Sequence, residues 1–181
     1  VVGLGHIAQI AVLPAFAHAK ESCELTALIT SDAEKLAELS KMYSVKHTYT
    51  YDQYDEALAS DTFDAVYIAL PNDMHKDFAI KAANARKHIL CEKPMAMNEE
   101  ECRAMIEAAE FNKVKLMVAY RLHFEPTNMK VVEKGIGFKS ASPHGRRISR
   151  SISRTASNSS HRSWKSSANT KSAKAACTSN A

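Results

Sequence analysis

The chain has 181 residues with a formal net charge of +4, enough for one domain and part of a second. No apolar run approaches the roughly 18 residues of a membrane span. The four cysteines, Cys23, Cys91, Cys102 and Cys177, form no C-x-x-C pair; they read as reduced and mostly buried, with neither a disulfide framework nor a metal site. The charge divides unevenly: residues 1–137 carry 15 Lys and Arg against 20 Asp and Glu, whereas residues 138–181 carry nine and none. The body is a mildly acidic globular segment, and the overall charge is no argument that it binds nucleic acid.

The sequence opens inside an apolar run, without Met, and reads as a fragment missing the start of its first strand. An export segment would have been lost with that start, so its absence says nothing; the cytoplasm is the expected compartment, with the periplasm the alternative. Val1 and Val2 end the first strand. Residues 6–19 are expected to form a helix kinked by Pro14. A buried strand spans 25–30, a helix 32–43 with Leu36 and Leu39 at helical spacing, a short strand 46–49 and a short helix 52–59. Residues 65–70 are apolar throughout, as in a parallel strand covered on both faces. Pro71 and Asn72 break it. A helix at 74–85, a strand at 87–91 and a stop at Pro94 follow. Asn98 caps the next helix and Glu101 completes a capping box; that helix runs to about 112. A sixth strand at 115–120 and a helix starting at Pro126 end the regular pattern.

Strand and helix alternate six times, which predicts an α/β fold with a doubly wound parallel sheet of order 3-2-1-4-5-6, a Rossmann arrangement. In that fold the carboxyl ends of the strands line one crevice, so chemistry is sought at the strand tips. The first tip reads Gly3-Leu4-Gly5-His6-Ile7-Ala8. Gly3 permits a tight turn, Gly5 a close backbone approach to a ligand, and Ala8 a helix lying close on the sheet. The N–H groups at the start of that helix, around His6, Ile7 and Ala8, form a site for a pyrophosphate.

The second strand ends Thr30-Ser31-Asp32, with Lys35 a turn later. Hydroxyls at Thr30 and Ser31 with a lysine nearby favour the 2′-phosphate of NADP; the alternative is NAD, with Asp32 taking the ribose and Lys35 in solvent. The fourth strand ends Leu70-Pro71-Asn72, with His75 in the following helix. Asn72 can bond a ribose or amide; a histidine at a helix start reads either as a ligand or as a capping residue. The fifth ends Cys91-Glu92-Lys93-Pro94. A lysine there lies over the nicotinamide end of the crevice, where a fixed ammonium stabilises charge building on a substrate oxygen and passes a proton. Glu92 can hold the neighbouring ribose or orient Lys93. Alternatively, a proline merely ends the strand and two charges sit in water.

Together these motifs, with Tyr120-Arg121, resemble the Gfo/Idh/MocA oxidoreductases, and within them the glucose–fructose oxidoreductase branch, over residues 1–137. The resemblance implies an N-terminal Rossmann domain followed by a C-terminal domain with an open, mostly antiparallel sheet. It also implies binding of NADP or NAD, oxidation or reduction of sugars and related polyols, and homo-oligomers built through the second sheet. By position it makes Lys93 the catalytic and substrate-contacting lysine. It places Thr30 and Lys35 where the NADP-using branch puts a hydroxyl and a phosphate-binding lysine, sets Arg121 near the cofactor, and lets His123 approach the substrate.

The expected organisation is a dinucleotide-binding domain over 1–123, the start of a connection over 124–137, and a tail over 138–181. In the tail 13 of 44 residues are Ser and no acid remains. It cannot bury enough surface to offset its ordering entropy and reads as disordered or as an out-of-frame terminus standing where the second domain should begin. Two further readings are weighed: a non-catalytic dinucleotide-binding or sensor module, and a nucleic-acid-binding arm at residues 146–165. The arm is not expected, because only Trp164 offers a stacking platform.

Overall fold

The computed structural model describes residues 1–120, 122 and 125–133. Val1–Ala119 belong to one unit and the described residues from Tyr120 onward to another. The first unit carries strands β1 (Ala27–Ile29), β2 (His47–Tyr49), β3 (Ala65–Ile68), β4 (His88–Cys91) and β5 (Leu116–Val118). Its helices are α1 (Leu13–Phe16), α2 (Ala33–Met42), α3 (Tyr54–Ala59), α4 (Asn72–Asn84) and α5 (Glu99–Phe111).

All pairings are parallel. β1 pairs with β2, and β3, β4 and β5 pair in that order. Val2 joins the two groups through single bridges to Ile29 on one side and Ile68 on the other. The predicted spatial order is therefore present, with the first strand reduced to this bridging residue. Register aligns Tyr49, Ile29, Val2, Ile68, Cys91 and Val118 in one row across the sheet. Because every strand runs the same way, their carboxyl ends emerge on a single edge. β1 lies on one side of Val2 and β3 on the other, so the strand order reverses here, at the switch point where such sheets open a crevice.

Alternation along the strands gives two cores. Ile29, Val66, Ile68, Ile89, Cys91, Leu116 and Val118 face one side with Tyr54, Ala79 and Met105 of the covering helices. Leu28 faces the other, with Leu4, Leu13, Leu39 and Val45. Coverage of that second face is uneven. Tyr67, Leu90 and Met117, in register with one another, are only half-buried, so the expectation of a strand covered on both faces holds less well for β3.

The helix after the glycine turn differs from the one predicted. Residues 8–12 form a π segment, Leu13 donates to the Ala8 carbonyl five residues back, and α1 ends at Phe16. Pro14 has no N–H to offer the Ile10 carbonyl, and the ladder widens by one residue just ahead of it. The α5 start follows the expected cap: the Asn98 side chain accepts from Glu101 N–H (2.9 Å) while Glu101 accepts from Met97 N–H (3.1 Å). Each bond satisfies an N–H at the helix entrance. Cys91 is a buried and Cys23 an exposed free thiol, as expected of reduced cysteines, and Cys177 lies outside the described residues. In the second unit, α6 (Pro126–Glu133) follows Glu125, whose carboxylate accepts from Asn128 N–H at 2.8 Å. The calls on the 138–181 tail lie outside the described residues. Among the described residues no helix is long and apolar enough to cross a membrane.

Candidate active site

The glycine turn is pinned to both neighbouring strands. Val2 N–H donates to the Tyr67 carbonyl (2.8 Å), Ala69 N–H to the Val2 carbonyl (2.7 Å), and Gly3 N–H to the Ile29 carbonyl (2.9 Å). Gly3 has φ +87°, and a Cβ there would stand 2.5 Å from the Ala69 carbonyl oxygen. Only glycine fits this position, on conformation and on space. Gly5 differs: a Cβ there would meet nothing within 4 Å. Its backbone borders open space, the room a pyrophosphate needs beside the first turn of a helix. Gly5 and His6 are exposed, Ile7 is half-buried, and Ala8 is fully buried. Ala8 thus meets the expectation of close helix–sheet packing rather than a direct ligand contact. Gln9, which sequence reasoning missed, donates from Nε2 to the Leu4 carbonyl (2.8 Å) and braces the turn.

At the β1 tip the roles separate. Thr30 is buried and its hydroxyl accepts from Asp32 N–H at 3.4 Å, so it shapes the turn. Ser31 is exposed. Asp32 caps α2, accepting from Lys35 N–H at 3.0 Å, and pairs with Lys35 Nζ at 2.8 Å. Hydrogen bonding from Lys35 holds the Asp32 carboxyl below its ordinary range, and the same bond raises Lys35. The Asp32 carboxylate is thus engaged with its own helix. Lys35, about a third exposed, has its charge partly matched by Asp32.

At the β3 and β4 tips the structure adds contacts that no motif announces. Glu92 is buried at 7% exposure. Its Oε1 accepts from the Tyr67 hydroxyl at 2.7 Å, and its Oε2 accepts from Lys93 N–H at 3.2 Å. Glu92 therefore orients the backbone of the lysine beside it. The side chain of Lys93 is exposed, and the Lys93–Pro94 peptide is cis. Pro71 and Asn72 are exposed, with Asn72 opening α4. Leu70 is buried against Gly3. His75 departs from the expectation of a cofactor ligand. It is wholly buried, with Nδ1 2.9 Å from the Pro94 carbonyl and Nε2 2.8 Å from the Leu70 carbonyl. Both ring edges are filled by peptide oxygens, which leaves none to face a ligand. Arg121 and His123 lie outside the described residues. An open depression of about 590 Å³ lined by Asp55, Leu58, Lys81 and Lys87 lies at the amino end of β4, away from the strand tips.

One edge of a switch-point sheet thus carries an open glycine turn, a polar tip with a lysine, and an exposed lysine held by a buried carboxylate. A family model described as "Oxidoreductase family, NAD-binding Rossmann fold" (GFO_IDH_MocA) matches residues 1–120. The chain belongs to this Gfo/Idh/MocA oxidoreductase family. Among its relatives, a D-xylose 1-dehydrogenase [NADP(+)] of Haloarcula marismortui is 40% identical over 126 residues, 69% of this chain and 35% of the relative. A scyllo-inositol 2-dehydrogenase (NADP(+)) of Bacillus subtilis is 43% identical over 114 residues, 63% of this chain and 34% of the relative. The crystal structure of an aldose-aldose oxidoreductase from Caulobacter crescentus complexed with glycerol superposes with a TM-score of 0.68 at 37% identity, covering 74% of this chain and 41% of that one. The chain spans about a third of the length of these curated relatives.

Proposed function

We propose that this Gfo/Idh/MocA chain is the cofactor half of an NADP-preferring dehydrogenase acting on the CH–OH group of a sugar or polyol. The observation that carries the reading is Lys93: exposed at the carboxyl edge, its backbone fixed by buried Glu92, beside a glycine turn open at Gly5. NADP, when bound, supplies hydride exchange at its nicotinamide ring. Gly5 and the helix start after it would take the pyrophosphate, Ser31 and Lys35 the 2′-phosphate, and Asn72 with Lys93 the nicotinamide half. Lys93 Nζ holds the proton exchanged with the substrate oxygen. As an ammonium it stabilises an alkoxide; as an amine it accepts the alcohol's proton. Relatives named for D-xylose and scyllo-inositol, both polyhydroxylated, support the substrate class.

The family model's end at residue 120 supports a dinucleotide-binding domain over 1–123, with 124–137 leading toward a second domain. His123, and Arg121 toward the cofactor, would complete the site from that side. The family resemblance further supports a homo-oligomeric full-length form; the compartment we expect is the cytoplasm, with the periplasm the alternative. Titrating NADPH and NADH against the chain and following nucleotide fluorescence tests the cofactor assignment. Tighter NADPH binding is expected, and a clear NADH preference defeats the Ser31 and Lys35 assignment. Turnover of pentoses and inositols by a version extended to family length, abolished by Lys93→Ala, separates an enzyme from a binding or sensor module.

A further inference from the structure

His75 links two strand ends that the sheet itself no longer joins. The last ladder bond at this edge runs from Glu92 N–H to the Ile68 carbonyl at 2.9 Å. Beyond it, Leu70 leads into the Pro71–Asn72 turn and Glu92 into the Lys93–Pro94 turn. The imidazole spans the gap, with the Leu70 carbonyl at Nε2 and the Pro94 carbonyl at Nδ1. Its place in the chain explains how it reaches them. Side chains on a helix lean toward its amino end, so a residue in the first turn of α4 folds back over the strand that precedes it. A rigid ring suits the task because its two nitrogens point in divergent directions. A ring with one proton donates to one carbonyl, and a ring with two donates to both. An aliphatic side chain of similar bulk fills the space but leaves the buried Leu70 carbonyl and the part-buried Pro94 carbonyl without this partner.

We propose that His75 is a positioning residue, a pin that fixes the Lys93 turn relative to the Asn72 turn and so holds the nicotinamide side of the crevice in shape. This rests on the cofactor reading above and adds to it a residue that touches no ligand. Two measurements on the whole 181-residue chain test it. The first is amide hydrogen exchange without ligand. His75→Leu should speed exchange across residues 93–97 by tenfold or more and leave α2 unchanged, with His75→Gln, which can still donate to one carbonyl, falling between. The second compares NADPH with adenosine 2′,5′-bisphosphate, which lacks the nicotinamide half. His75→Leu should weaken NADPH by tenfold or more and the bisphosphate by less than twofold.

Unchanged exchange across 93–97 overturns the pin. So does proportionate loss of both nucleotides together with faster exchange in α2, which describes general loosening. A wild-type chain that binds NADPH, with a variant that binds it equally well, overturns the pin while leaving the cofactor reading intact. A wild-type chain that binds neither nucleotide overturns both.

Discussion

Gly3 and Gly5 stand two residues apart in one turn, and alanine at each is expected to fail in a different way. At Gly3 the added methyl meets backbone: 2.5 Å to the Ala69 carbonyl oxygen and 2.8 Å to its carbon. Ordinary contact begins near 3.4 Å, so the Gly3 turn and the Ala69 backbone must part by close to an ångström. The bonds that resist are Ala69 N–H to the Val2 carbonyl at 2.7 Å and Val2 N–H to the Tyr67 carbonyl at 2.8 Å. Weakening both costs about 1 kcal/mol each. Holding an alanine at φ +87° adds about 1–2 kcal/mol. The expected loss is about 3–4 kcal/mol, a large share of the roughly 5–15 kcal/mol available to a domain. At Gly5 the methyl meets nothing, and the stability change should stay within about 0.5 kcal/mol. Its cost falls on the ligand, with NADPH affinity reduced by about tenfold or more. Urea denaturation followed by circular dichroism gives the stabilities and nucleotide fluorescence the affinities. An unfolding midpoint for Gly3→Ala equal to wild type, or a loss for Gly5→Ala matching that of Gly3→Ala, would refute the division of labour within this turn.

Other changes separate structural from chemical roles. Tyr67→Phe removes the hydroxyl that donates to buried Glu92, and denaturation should show a loss of about 1.5–3 kcal/mol. Lys93→Ala, at an exposed side chain, should leave the unfolding midpoint unchanged while abolishing turnover in a version extended to family length. Lys35→Met should narrow the preference for NADPH over NADH by about tenfold, read by competitive titration, with little effect on folding because the pair with Asp32 is solvent-exposed. Burial pushes the Cys91 thiol up to about 12, with the Glu92 charge adding to the shift. Iodoacetamide at pH 8 should therefore label Cys23 in the native chain and Cys91 only after urea is added, as mass spectrometry of the tryptic peptides will show.

The parts legible in the sequence are those that periodicity and backbone chemistry set alone. Alternating apolar runs and punctuating prolines place the sheet order, because a parallel strand needs a crossover and the crossover has one favoured hand. Gly3 announces itself because a positive φ admits few other residues. What stayed hidden are bonds between residues distant in sequence. Tyr67 looks like one more apolar strand residue until its hydroxyl is seen on Glu92, 25 positions away. His75, at a helix start, reads in the sequence either as a ligand or as a capping residue. Only the fold shows peptide oxygens on both of its edges. The consequence is a division within the crevice wall. Lys93, Asn72, Ser31 and Lys35 present themselves to solvent, whereas Thr30, Glu92, His75 and Leu70 are turned inward and hold the turns that carry them. A motif read as a row of ligands is thus two interleaved sets, and substitutions in the buried set should disturb binding by moving the exposed one.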